Sequence, residues 1–178
     1  MVYKLKIKNM TMTYCIIVRG PLGAGKTAVA KILAKKLEGK YVSIDSLLAK
    51  NRLDKVNKKL DCIPVKNFIK AAETIIPKAK ASLKNKKIII FDGNFYHRKQ
   101  ISHLKKRLNC RFFVFTLKAS LNVCIDRDRK RKNSYGRDAV KAVYRLTSSY
   151  GTMIDAENKA PEKVAEVILK LLKNKISK

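Results

Sequence analysis

The 178-residue chain carries 42 Lys and Arg against 13 Asp and Glu, a net charge of +29, and its length suits one α/β domain with a sizeable core. No apolar run approaches a membrane span and no apolar signal-peptide core opens the chain, so membrane and secreted classes are not expected. Cys15, Cys62, Cys110 and Cys124 are scattered without a CxxC pair, which argues against zinc and fits a reducing cytoplasm.

Tyr3, Leu5 and Ile7 alternate with lysines and predict a short extra edge strand within residues 1–13. Tyr14-Cys15-Ile16-Ile17-Val18 is apolar, β-branched and uninterrupted, the pattern of a buried strand. Gly20-Pro21-Leu22-Gly23-Ala24-Gly25-Lys26-Thr27 then completes a G-x-x-x-x-G-K-[ST] phosphate loop. From Thr27 to Glu38 the spacing predicts an amphipathic helix, with Val29, Ile32, Leu33 and Leu37 on one face. Gly39 stands where a C-cap glycine belongs. Strand, glycine-rich turn and helix is the context that gives the motif its chemistry. Backbone N–H groups from Gly20, Gly23, Ala24 and Gly25 are expected to close around phosphate oxygens at the positive end of the helix. Lys26 would reach the β- and γ-phosphates and the Thr27 hydroxyl would ligate Mg²⁺. A nucleoside triphosphate is the expected ligand.

Four more segments read as core strands: Lys40–Ile44, Lys87–Phe91, Arg111–Leu117 and Gly151–Ile154. A helical pattern follows each, so the chain is expected to form a parallel sheet wrapped by helices. Val65–Leu83 reads as a helix that Pro77 should kink or divide, and Ala160-Pro161-Glu162 opens a clear closing helix. No repeat, linker or low-complexity block interrupts the chain, which predicts one domain over residues 1–178.

Ligands of open α/β sheets bind beyond the carboxyl ends of the strands, so polar residues there are site candidates. Asp45 follows Tyr41-Val42-Ser43-Ile44; it would accept the proton of an attacking hydroxyl, or simply cap the next helix. Ile88-Ile89-Ile90-Phe91-Asp92 is an apolar strand ending in an acid that would hold Mg²⁺ or position the acceptor. The loop behind it gathers Asn94, His97 and Arg98 as candidate substrate contacts, although an Asp-Gly-Asn turn alone explains its first residues. Arg127 and Arg131 are spaced i, i+4 and would share a helix face over a transferring phosphoryl group. The break at Asn133-Ser134-Tyr135-Gly136, with a helix from Asp138 to Tyr150, makes residues 125–150 a candidate lid. A solvated charged face is the plainer reading of the same run.

On these residues the chain resembles the small P-loop kinases, especially the group that includes polynucleotide 5′-hydroxyl kinases and zeta-toxin-like kinases, and it is also similar to adenylylsulfate kinases. Gly20–Thr27, Ile44-Asp45, Phe91–His97, the stretch from Leu117 to Arg131, and Gly151–Asp155 carry the resemblance. It implies a three-layer P-loop NTPase fold with a central five-stranded parallel sheet and a helical lid. It also implies Mg-ATP as donor, Asp45 as the acid that activates the acceptor, and Arg127 and Arg131 as lid arginines. Asp155–Asn158 would lie near the adenine. Polynucleotide kinases of this group tend to carry an arginine three positions after that acid, and here the position is Leu48; the nearest arginine is Arg52.

The expected function is therefore an ATP-dependent kinase acting on a hydroxyl of a small metabolite, a nucleoside or nucleotide, or a nucleic-acid 5′ end. The alternative is a nucleic-acid-associated ATPase switch with no acceptor. Charge supports a nucleic-acid partner, but 32 of the basic residues are Lys and only 10 are Arg, spread along the whole chain. Such a coat also suits plain solvation, and Arg is the residue fitted to bidentate phosphate contacts. No membrane partner is expected, and the oligomeric state is left open.

Overall fold

The structure is a computed structural model that describes residues 13–177. All but the last residue of the expected N-terminal edge strand thus lies outside the described residues. In the order of the chain come β1 (Tyr14–Arg19), α1 (Lys26–Lys36), β2 (Lys40–Ser43), α2 (Ile44–Lys50), α3 (Val65–Lys84) and β3 (Ile89–Asp92). They are followed by α4 (Arg98–Leu108), β4 (Arg111–Lys118), α5 (Leu121–Arg129), α6 (Arg137–Leu146), β5 (Thr152–Asp155) and α7 (Pro161–Ile176).

The five strands form one parallel sheet in the order β2-β3-β1-β4-β5, as the βα alternation predicts. Every residue of β1 is buried, because it has a strand on each side and helices over both faces. Successive side chains of a strand point to opposite faces, and the core divides accordingly. Ile16 and Val18 pack with Leu33 of α1 and Val164 and Ile168 of α7. Cys15 and Ile17 pack with Phe68 and Ile76 of α3 and with Ile101 and Leu104 of α4. Replacing a side chain such as Phe68, 1% exposed, with Ala would cost about 3–5 kcal/mol.

Strand order positions the site. From β1 the chain passes through α1 to the outer strand β2, whereas from β3 it crosses to β4 on the other side of β1. The connections part company between β1 and β3, and a crevice opens there at the carboxyl ends of the strands. The phosphate loop leaves β1 at that point, and Asp92 ends β3 beside it.

Three local expectations are corrected. Gly39 is not the left-handed cap: Glu38 takes that conformation at φ 49°, and the Gly39 N–H donates to the Ala34 carbonyl at 2.9 Å. Glycine is needed at 39 for space, since a Cβ would stand 2.9 Å from the Ile88 carbonyl oxygen. Pro77 lies inside a continuous α3. Its ring is on the exposed side, and the buried stripe of Phe68, Ala71, Ala72, Ile76, Ala79 and Leu83 holds the helix across the missing hydrogen bond. Finally, β2 stops at Ser43, whose hydroxyl caps α2 by accepting from the Ser46 N–H at 3.1 Å. Asp45 is inside the first turn and is not the cap. Among the described residues no helix is long and apolar enough to cross a membrane.

Candidate active site

The phosphate loop runs from the end of β1 into α1, whose cap, Gly25, has φ 87° and ψ 11°. The loop glycines differ in what surrounds them. Gly23, at φ 80°, lies against the backbone of Cys124 in α5, where a Cβ would overlap the carbonyl oxygen and stand 2.8 Å from the carbonyl carbon and Cα. Gly25 also has positive φ but faces open space, with nothing among the described residues within 4 Å of a Cβ. That space is a cavity of about 450 Å³ lined by Gly23, Gly25, Lys26, Thr27, Ala28, Lys31, Arg127 and Arg131.

Lys26 is only 7% exposed, and its ammonium turns back on the loop, donating to the Pro21 carbonyl at 2.7 Å. Burial pulls its pKa below the usual lysine value, against the pull of Asp45 and Asp92. Asp92 is 3% exposed. Its Oδ2 accepts from Thr27 Oγ1 at 2.7 Å and from the Tyr41 hydroxyl at 2.8 Å. Oδ1 of Asp92 is buried with no hydrogen-bond partner among the described residues. A buried carboxylate oxygen without a donor is costly, and this one stands beside the Thr27 hydroxyl.

Asp45 is half-buried. Burial raises its pKa above the ordinary carboxylate value and neighbouring Asp92 adds to the rise; the Lys26 and Arg131 cations and the Asn94 backbone oppose it. Lys26, Asp45, Asp92 and Arg131 therefore form one electrostatic cluster, although they come from four separate parts of the sequence. Asn94 is buried, and its side-chain oxygen has no partner among the described residues.

The rest of that loop is engaged with the chain itself. His97 Nε2 is 3.0 Å from the Ile63 carbonyl, and its ring packs edge-on against Tyr96 and Phe68. Arg98 donates to the Ser149 carbonyl at 3.3 Å and lies over the Tyr150 ring. Leu48 is 1% exposed in the core, so its side chain faces away from the crevice. Arg52 is exposed beyond the end of α2.

Arg127 and Arg131 both reach the cavity, but not along a single helix face. The α5 helix ends at Arg129, and Arg131 lies in the following turn, held by its N–H to the Asp128 carbonyl at 3.0 Å. Arg127 donates to the Ala156 carbonyl at 3.0 Å, which joins it to the segment after β5. In that segment Glu157 accepts from the Ser120 N–H and hydroxyl.

The break between α5 and α6 is an ordered turn. Asp128 is 1% exposed, and its Oδ2 accepts from Ser134 Oγ, Tyr135 N and Gly136 N at 2.7, 2.9 and 3.1 Å. Read as part of a charge run, Asp128 gave no hint of this role; only its short distance from the Gly136 break could have suggested it.

Arg19 and Tyr41 were not expected at the site. Arg19 is the last residue of β1 and is fully buried. It donates to the Phe95 carbonyl at 3.2 Å, to Thr116 Oγ1 at 3.0 Å and to the Ser148 carbonyl at 2.7 Å. Burial, with Arg98 nearby, pulls its pKa down to about 10. One guanidinium thus ties the start of the phosphate loop to the loop after Asp92 and to the segment that returns from α6. An arginine closing an apolar strand next to a glycine turn was the available signal.

Strand order, phosphate loop and acid-tipped β3 define a P-loop kinase. The AAA domain family (AAA_33) matches residues 15–146, and the chain belongs to it. A shikimate kinase of Thermodesulfovibrio yellowstonii is 27% identical over 165 residues, covering 87% of this chain and 92% of that protein. Among solved structures, a sugar kinase from a Janibacter species matches 90% of this chain and 95% of its own, with a TM-score of 0.71 at 14% identity. A tunicamycin resistance protein of Deinococcus radiodurans has a TM-score of 0.64 at 23% identity, over 90% of this chain and 95% of that one. These two structures share the fold.

Proposed function

We propose that the protein transfers the γ-phosphoryl group of ATP to a hydroxyl of a small-molecule acceptor. The observation that carries this reading is the phosphate-loop crevice, where Asp92 accepts from Thr27 at 2.7 Å and half-buried Asp45 shares one charge cluster with Lys26, Asp92 and Arg131. An acid poised there accepts a hydroxyl proton as the oxygen attacks. The relatives named for shikimate and sugars support a small hydroxylated acceptor.

In this reading the loop N–H groups and Lys26 hold the phosphates, and Lys26 exchanges the Pro21 carbonyl for phosphate oxygens. Thr27 Oγ1 and the Asp92 carboxylate, with its unpaired Oδ1, are the groups that would hold Mg²⁺, which supplies positive charge to the phosphate oxygens when bound. Asp45, held by the Asn94 backbone, orients and deprotonates the acceptor hydroxyl, and the Asn94 side-chain oxygen, which has no partner among the described residues, is a further contact for the acceptor. Arg127 and Arg131 neutralise charge on the transferring group from the lid side. His97 and Arg98 brace the wall of the acceptor crevice, since their side chains are already taken by Ile63, Ser149 and Tyr150. Most of the acceleration is then positioning and charge stabilisation. The reaction belongs in a reducing cytoplasm, as the free thiols suggest.

The net charge of +29 favours a second reading, a nucleic-acid-stimulated ATPase or a kinase of nucleic-acid ends. Burial of Leu48 removes one phosphate contact that an end-kinase would use. Two variants test the leading reading. Lys26→Ala abolishes transfer in a folded protein, and Asp45→Asn lowers turnover by roughly 10²–10⁴-fold with ATP affinity nearly unchanged. A folded Lys26→Ala protein with full activity would sink it.

A further inference from the structure

We propose that Cys15 and Cys110 are a redox-modification site, forming an internal disulfide that locks the base of the sheet without touching the phosphate loop. The two sulfurs are 3.4 Å apart although 95 residues separate them in sequence. Their meeting follows from strand register. Cys15 of β1 is paired alongside Phe112 of β4, and Cys110, in the turn two residues before Phe112, packs against the same core cluster as Phe112 and Cys15. Bonding requires closure to about 2.05 Å. The partner outside a strand is Cys110, which sits in the α4–β4 turn directly after Asn109, a residue in left-handed conformation at φ 45°.

The surroundings give the two thiols unequal roles. Cys15 is fully buried and Cys110 half-exposed. The Cys15 hydrogen bond holds the Cys110 thiol below the usual cysteine range, while the same contact and burial push Cys15 up. Cys110 is thus the group that meets an oxidant, and Cys15 the group that resolves the product.

With a peroxide as oxidant the chemistry balances. The Cys110 thiolate attacks one peroxide oxygen, the O–O bond breaks, and hydroxide leaves, giving a sulfenic acid. The Cys15 sulfur then attacks the Cys110 sulfur, its proton passes to the departing hydroxyl, and water is released. Two thiols and one hydrogen peroxide become one disulfide and two waters, with two electrons passing from sulfur to oxygen.

Location decides the consequence. The phosphate loop and Asp92 lie beyond the carboxyl ends of the strands, whereas Cys15 and the turn holding Cys110 lie at their amino ends. Oxidation therefore closes a long loop of the unfolded chain and leaves the site geometry alone. Cys124 packs in the other core cluster, and Cys62, although it shares the cluster of Cys15, lies against His97 beyond the carboxyl end of β3, so both stay reduced.

The test uses the full chain, reduced and then titrated with one equivalent of hydrogen peroxide, unfolded in alkylating reagent and digested with trypsin. The expected product is about 2 Da lighter and yields the peptides 9–19 and 108–111 joined by a bond that reductant splits. Its thermal midpoint rises by roughly 5–15 °C, and nucleotide affinity is unchanged within twofold. Cys110→Ser, at a half-exposed position, folds normally and shows neither the cross-link nor the rise. A peroxide-treated protein in which Cys110 carries sulfenic or sulfinic oxygen while Cys15 still takes up alkylating reagent would overturn the proposal. So would a cross-link to Cys62 or Cys124, or loss of nucleotide binding on forming the Cys15–Cys110 bond.

Discussion

Gly23 and Gly25 are two residues apart in one motif, yet the structure gives their alanine variants different fates. Both have positive φ, 80° and 87°, so each alanine pays left-handed strain of about 1–2 kcal/mol. At Gly25 nothing among the described residues lies within 4 Å of the added Cβ, so strain is the whole penalty. At Gly23 the Cβ also overlaps the backbone of Cys124. Backbone cannot rotate away, so α5 must shift, an overpacking cost of about 1–3 kcal/mol more. For a chain of this size 1 kcal/mol moves the thermal midpoint by about 2–4 °C. Gly25→Ala should therefore lose roughly 2–8 °C and Gly23→Ala roughly 4–20 °C. Ligand binding should order them the other way. The Gly25 methyl fills cavity that the phosphates need, so Gly25→Ala should lose the rise in thermal midpoint that ATP gives the parent protein. The assay is thermal unfolding of parent and variants with and without ATP and Mg²⁺. Equal destabilisation of the two variants would show that the Cys124 contact costs nothing, and a parent-like ATP shift in Gly25→Ala would show that the phosphates do not occupy the cavity at Gly25.

Asp45 has a raised pKa, and the base it provides works only when ionised. The acid limb of turnover should therefore lie above the ordinary carboxylate value near 3.9 and vanish in Asp45→Asn; a limb that persists assigns it elsewhere. The same shift has a stability sign. A raised carboxylate is best tolerated protonated, so its contribution is present at low pH and lost as pH rises through the folded value. Asp45→Asn should consequently unfold at a higher temperature than the parent at pH 7, and a lower midpoint would contradict the burial argument. Asp128→Asn replaces the acceptor of three turn hydrogen bonds. Losing about 1.4 kcal/mol there would speed hydrogen exchange at Tyr135 and Gly136 roughly tenfold, with turnover falling as the lid turn loosens. Unchanged exchange would show that Asp128 does not hold the turn.

Much of this molecule is legible from local pattern. Uninterrupted Ile16-Ile17-Val18 and Ile89-Ile90-Phe91 could only be strands covered on both faces, and the motif between β1 and α1 placed the crevice. The boundaries were less legible where a neighbour decides them. Ser43 takes the cap that Asp45 resembled because the helix starts two residues earlier. Pro77 stays helical because its flanking apolar stripe is held by the sheet. Partners distant in sequence were beyond local reading altogether. Nothing near Arg19 announces Phe95, Thr116 and Ser148, and nothing near Tyr41 announces Asp92. His97 and Arg98 carry chemistry in their side chains, but packing has given both of them partners within the fold. Arg131 was placed near the crevice by helical spacing and reaches it from a turn, since α5 ends at Arg129 and the Arg131 N–H closes on the Asp128 carbonyl.

The central claim is phosphoryl transfer to a small hydroxylated acceptor. Its most direct measurement is incubation of the protein with γ-labelled ATP and Mg²⁺ against separate pools of hydroxylated metabolites, nucleosides and nucleotides, and 5′-hydroxyl RNA and DNA. Label should appear on a member of a small-molecule pool, be lost in Lys26→Ala and be strongly reduced in Asp45→Asn. Label on oligomer ends alone, or free phosphate released faster with RNA and no labelled acceptor, would contradict it.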